Sequence, residues 1–258
     1  MQKKKVDAYI LSQEKLADGI YSMIMKTDLA KMAKPGQFVN IYPKNQSTLL
    51  PRPISICEAD QEENTLRCVY RVVGKGTDEF SKYQEGDTIS ILGTLGNGFP
   101  LEAGKGKKVM LMGGGIGVPP ILELAKRIEA EEKLIVVGYR DNQTFLKEEF
   151  EKNGKVYIAT EDGSVGTKGN VMNAIAENGL KADVIYACGP MPMLRSIKKY
   201  AEEKNILAYI SLEERMACGV GACLGCVCKT TKKDEHSHVN NARVCTDGPV
   251  FEAREVDI

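Results

Sequence analysis

Near the C-terminal end of this 258-residue chain, Cys218, Cys223 and Cys226 stand at C-x4-C-x2-C spacing, and eighteen residues separate Cys226 from a fourth candidate, Cys245. Thiolates at this spacing are the plant-type pattern for a [2Fe–2S] cluster. A loop that wraps two irons must aim several sulfurs inward and turn its backbone N–H groups toward them. That requires small residues with wide conformational freedom, which Gly219, Gly221, Ala222 and Gly225 supply. Structural zinc is the competing reading, but zinc sites usually carry two C-x2-C pairs and only one is present. Cys228 is expected to be a packed free thiol. His236 and His238 lie two apart in a polar stretch and read as solvated surface rather than as Rieske ligands.

Two features near the start of the chain suit a phosphate. Arg52-Pro53-Ile54-Ser55 offers a guanidinium fork beside a stiffened backbone, with a hydroxyl for a heteroaromatic edge. Gly74-Lys75-Gly76-Thr77 reads as the turn into a helix over residues 78–83, with Thr77 as its N-cap. Together, about twenty residues apart, they favour a flavin-dinucleotide pyrophosphate site. Further on, Gly113, Gly114, Gly115 and Gly117 lie between an apolar run and a helical pattern. This is the strand, glycine turn and helix of a dinucleotide site, although the order is not G-x-G-x-x-G. Asp141 would accept from a ribose 2′-hydroxyl and favour NAD, whereas Arg140 would favour NADP, and the residues leave that choice open. In Cys188-Gly189-Pro190 a strand meets a glycine, so Cys188 is a candidate contact to a nicotinamide or else a buried structural thiol.

The elements that must position these groups fall into three blocks. Over residues 1–100, short strand-like runs at 6–12, 20–25, 38–42, 54–58, 66–73 and 88–92 alternate with turns, as in a small antiparallel β-barrel. Cys57 and Cys68 lie in these runs and read as core. Over residues 101–212, strands alternate with helices, which predicts a parallel doubly wound α/β sheet with ligands at the carboxyl ends of its strands. Residues 213–258 carry the cysteines, a polar hairpin-like stretch at 232–241 and the Asp247-Gly248-Pro249 turn.

Lys and Arg total 35, as do Asp and Glu, so the chain lacks the basic footprint of a nucleic-acid binder. The longest uncharged run, residues 109–122, is too short and too rich in glycine and proline to span a bilayer. Eight cysteines without a visible export signal suggest a reducing compartment, and the cytoplasm is expected.

Barrel, dinucleotide block and cluster, in this order, resemble the ferredoxin–NADP reductase superfamily, and within it the electron-transfer subunits of NAD-dependent dihydroorotate dehydrogenases. The resemblance covers the whole chain and rests on Arg52-Pro53-Ile54-Ser55, Tyr70-Arg71 followed by Gly76-Thr77, residues 113–120 with Cys188-Gly189-Pro190, and the four cysteines. It implies that Arg52 to Ser55, Val69, Tyr70, Arg71, Gly76 and Thr77 hold FAD. It further implies that the cysteines hold [2Fe–2S] and that NAD binds at the glycine turn. The implied partner is an FMN-containing catalytic subunit in a heterotetramer of two plus two. Electrons from dihydroorotate would then reach NAD⁺ by way of the cluster and FAD. The alternatives are the small subunit of an NADH-dependent ferredoxin–NADP⁺ oxidoreductase, a hydrogenase-associated diaphorase subunit and, from another class, a zinc-stapled regulatory module.

Overall fold

The computed structural model describes residues 3–45, 47–233 and 238–258. Strands β1 (Lys4–Ala17), β2 (Ile20–Lys26), β3 (Phe38–Tyr42), β4 (Arg52–Asp60), β5 (Thr65–Arg71) and β6 (Thr88–Leu95) close into an antiparallel barrel in the order β1-β2-β5-β4-β3-β6. Period-2 alternation sends Val39, Ile41, Ile56, Leu66 and Cys68 into a core without water. Closure leaves no free edge to pair with another chain. Helix α1 (Lys75–Phe80) follows β5 and starts earlier than the sequence suggests. Its N-cap is Gly74, not Thr77. Thr77 sits one turn inside, where its hydroxyl accepts from the backbone of Val73 and Gly74 at 2.9 and 3.3 Å. The side chain therefore does a cap's work from the third helical position.

The second block runs β7 (Lys108–Gly114), α2 (Val118–Arg127), β8 (Glu132–Tyr139), α3 (Lys147–Glu151), β9 (Lys155–Thr160), β10 (Thr167–Lys168), α4 (Val171–Glu177), β11 (Val184–Cys188), α5 (Met191–Lys204) and β12 (Leu207–Ser211). The fully buried runs in β7, β8 and β11 mark strands covered on both faces, as expected of a parallel sheet between helices. Pro119 and Pro120 occupy the first turn of α2, where a missing N–H costs nothing. Helix α3 begins only at Lys147, because Leu146 before it takes a left-handed conformation at φ 66°.

The last block adds β13 (Val227–Lys229), β14 (Asn241–Arg243) and β15 (Val250–Glu252). β13 and β14 pair with each other antiparallel, Val227 opposite Arg243 and Lys229 opposite Asn241. β15 joins the large sheet antiparallel to β12, giving the order β10-β9-β8-β7-β11-β12-β15. β10 and β15 are too short to stand out in the sequence. Barrel and sheet are locked where α2 packs on β4. There the buried Glu123 accepts from Ala59 N at 3.2 Å, and Arg127 donates to Ala59 O at 3.1 Å. Burial raises the Glu123 carboxyl, against the pull of Arg127. Arg67 adds an ion pair to Glu149 on α3 at 2.7 Å. No helix among the described residues is long and apolar enough to cross a membrane.

Candidate functional site

Two clefts and one loop collect the candidate residues. The first cleft, about 350 Å³, is lined on the barrel side by Arg52, Pro53, Ile54, Ser55, Val69, Tyr70, Arg71 and Thr77. Strand pairing explains the convergence. Arg52 lies opposite Ile41 and Ser55 opposite Phe38 across β3 and β4, and β5 brings Arg71 to the same rim. The Arg52 guanidinium lies against the α1 turn, where a Cβ on Gly76 would stand 2.8 Å from its Nε. Nη1 of Arg52 also donates to Leu50 O at 2.7 Å, which holds the fork in place. Tyr70 is buried, and its hydroxyl accepts from Gln13 at 2.9 Å, so its side chain belongs to the barrel core. The opposite wall comes from Ile116, Ser211, Glu213, Met216 and Pro249. Glu213 is exposed at the cleft, with protein packed around its carboxyl. The enclosure raises its carboxyl, and nearby Arg71 lowers it.

The second cleft, about 430 Å³, opens at the carboxyl ends of the parallel strands. Gly114 and Gly115 line it, and Gly115 has φ 54° with only Arg71 near its missing Cβ, at 3.7 Å. That is open room for a ligand's backbone-hugging groups. The other glycines serve packing, Gly114 among them, where a Cβ would stand 2.4 Å from the Met193 sulfur. A Cβ on Gly113 would meet Val118 Cα at 2.9 Å, one on Gly117 the Cys188 carbonyl oxygen at 2.4 Å, and one on Gly189 the Met193 sulfur at 2.8 Å. Arg140 lines the cleft, but Asp141 does not and instead accepts from Gln143 N at 3.0 Å. The carboxylate in the cleft is Glu161, one residue past β9, a position for which the sequence alone assigns no role in a site. Its signal was its place at a strand's carboxyl end. Cys188 is 1% exposed and lines neither cleft. Burial pushes its thiol up, as does the charge of nearby Glu213, so it stays protonated. Arg71 is common to both clefts and marks where they meet.

The cysteine loop sits beside β3 and the end of β6. Cys223 is exposed and Cys218 half-buried, while Cys226 and Cys245 are buried. Backbone N–H groups point at the sulfurs: Val220 and Cys223 donate to Cys218 Sγ and Gly225 to Cys223 Sγ, each at 3.4 Å. Partial burial works against ionisation of Cys218, yet these amides and the Cys223 thiol bring it down to about 6. Burial and the adjoining Cys226 thiol raise Cys245 to about 11. The side chains thus pair two and two, Cys218 with Cys223 and Cys226 with Cys245. A cluster in which each iron takes two bridging sulfides and two thiolates needs that division. Among the described residues no three His, Cys, Asp or Glu side chains are gathered closely enough to hold a metal ion as they stand. Gly219 and Gly221 adopt φ 67° and 87°, and Leu224 is held at φ 57°, a strained value for a leucine. Gly225 needs no such freedom. Cys228 is buried opposite Ala242. His238 is exposed, and His236 lies outside the described residues.

Comparison with known proteins gives a consistent picture. Residues 213–257 match the family described as the iron-sulfur cluster binding domain of dihydroorotate dehydrogenase B. The electron transfer subunit of dihydroorotate dehydrogenase B (NAD(+)) from Bacillus mycoides (strain KBAB4) is 43% identical over 260 residues, covering 98% of each chain. Its counterpart from Caldanaerobacter subterraneus is 42% identical over 252 residues, again covering 98% of each. Among solved structures, the NADH-dependent reduced ferredoxin-NADP oxidoreductase superposes with a TM-score of 0.86 at 29% identity, over 97% of this chain and 89% of that one. A ferredoxin NADP+ reductase from Neisseria gonorrhoeae, solved with FAD and NADP bound, shares the fold at a TM-score of 0.64 and 18% identity, over 78% and 91%.

Proposed function

Because the chain belongs to the family of electron transfer subunits of NAD(+)-dependent dihydroorotate dehydrogenase B, we propose that it passes electrons from a catalytic partner subunit through [2Fe–2S] and FAD to NAD⁺, in the synthesis of pyrimidines. The observation that carries this reading is adjacency. Phe38 of strand β3 lines the first cleft, Asn40 two residues on meets the cysteine loop, and Arg71 joins the first cleft to the second. We read residues 1–100 as the flavin module, 101–212 as the nucleotide module and 213–258 as the cluster module.

Bound FAD exchanges a hydride with the nicotinamide and single electrons with the cluster, chemistry that belongs to the cofactors. The residues bind, orient and insulate. Arg52, braced by Leu50 O and admitted by Gly76, neutralises pyrophosphate charge. Ser55 offers a hydroxyl in the same cleft. Gly115 lets the NAD phosphates approach the backbone. Glu161 accepts from a ribose hydroxyl and repels a 2′-phosphate. Cys188, protonated and buried outside both clefts, offers no nucleophile. Exposed Cys223, flanked by Val220 and Leu224, presents the cluster to the partner. That partner is a catalytic subunit holding FMN, in a two-plus-two assembly in the cytoplasm.

The test is to purify the chain with its catalytic partner and follow NADH formation from dihydroorotate and NAD⁺. Cys223→Ser should abolish that coupled reaction while NADH still bleaches the flavin. Retained coupled turnover overturns the relay. The 0.86 superposition makes ferredoxin-linked reduction the second reading, and ferredoxin in place of dihydroorotate distinguishes it.

A further inference from the structure

Strand β3 has two working faces. Val39 and Ile41 point into the barrel core, so Phe38 and Asn40 share the outer face. Phe38 packs in the core that also holds Cys226 and Cys245. An asparagine on the outside of a barrel ordinarily meets water, yet Asn40 is 0% exposed, because the cysteine loop covers it. Its Nδ2 donates to the Cys218 carbonyl at 3.3 Å, and its Oδ1 finds no partner among the described residues. Gly219 permits the approach, since a Cβ there would stand 2.2 Å from Asn40 Nδ2. Plain adhesion would be served better by an apolar side chain, because a half-satisfied buried amide is costly. The retained bond points to a demand for orientation. A second barrel asparagine, Asn97, donates to Thr246 O at 3.1 Å and Asp247 O at 3.0 Å, directly after Cys245. The barrel thereby grips the loop at its first and last cysteines.

We infer that Asn40 is a positioning residue for electron transfer: its amide holds the Cys218 segment at one distance and orientation from the strand that walls the flavin cleft. The inference rests on reading the four cysteines as cluster ligands and the first cleft as the flavin site. Asn40 touches neither cofactor and acts through the Cys218 backbone.

The experiment uses the complex with its catalytic partner and two variants. Asn40→Leu keeps the volume and removes the donor. Asn40→Asp keeps the shape and donates only when protonated. In Asn40→Leu, NADH should reduce the flavin at the wild-type rate. Onward reduction of the cluster should slow by about 10- to 100-fold, the range for a group standing behind a metal ligand. The electron paramagnetic resonance spectrum of the reduced cluster should shift. In Asn40→Asp the cluster-reduction rate should recover as pH falls, a dependence absent from wild type. Full iron content with a wild-type spectrum and wild-type cluster reduction in Asn40→Leu overturns the inference. Should that variant not fold, a wild-type pH profile in Asn40→Asp overturns it equally. A wild-type complex lacking iron or FAD overturns the parent reading as well, so the two failures are distinct.

Discussion

Replacing Gly76 by alanine tests the flavin-phosphate site without touching its charge. The new methyl would stand 2.8 Å from Arg52 Nε, 3.1 Å from Cζ and 3.2 Å from Nη2. Ordinary contact needs about 3.5 Å or more, so the guanidinium must retreat by roughly half an ångström or more. The other end of the fork is tied to Leu50 O, so the retreat is a tilt that misaligns a bond to the phosphate. A hydrogen bond to a charged group contributes about 1.5–3 kcal/mol. At 1.4 kcal/mol per tenfold, loss of one such bond raises the FAD dissociation constant about ten- to a hundredfold. The fold should not suffer, because Gly76 has ordinary helical geometry in α1 and alanine is the better helix former by up to about 1 kcal/mol. Titration of deflavinated protein by quenching of flavin fluorescence gives the affinity, and thermal unfolding of the same protein gives the stability. Weakened FAD binding with an unchanged or higher melting temperature is expected. An unchanged affinity beside a weakened Arg52→Ala control refutes the steric argument, and an unchanged affinity in both removes Arg52 from the phosphate site.

The remaining predictions concern the other sites. Glu161→Ala should improve kcat/KM for NADPH in flavin reduction roughly tenfold, because a carboxylate and a phosphate near a protein surface repel by ~1–4 kcal/mol at 4 Å; Asp141→Ala should leave the preference between NADH and NADPH unchanged. In metal-free protein, the Cys218 thiol, lowered from 9.0 to about 6, should alkylate fastest of the eight cysteines, with a midpoint near that pH read by mass spectrometry. The sign follows from linkage. A lowered folded-state value gives stability that is full above about 9 and lost as pH falls through about 6, so apo-protein melting temperature should rise across that window.

Short-range patterns carried the architecture. Strand alternation announced the barrel, the βα alternation announced the parallel sheet, and the C-x4-C-x2-C spacing marked the loop whose amides point at sulfur, because each of these is set by neighbours within a few residues. What local pattern could not reach was the meeting of distant segments. Four glycines in one turn looked alike, but only packing against Val118, Met193 and Cys188 separated Gly113, Gly114 and Gly117, which admit a neighbouring part of the chain, from Gly115, which faces open space. Asp141 and Glu161 both follow strands, and the fold alone turned one toward Gln143 and the other into the cleft. Nothing in the sequence around Asn40 marks that a loop almost 180 residues later comes down over it. A residue's chemistry is written in its type, but its surroundings depend on contacts between segments far apart in the chain, and those exist only once the three blocks have packed.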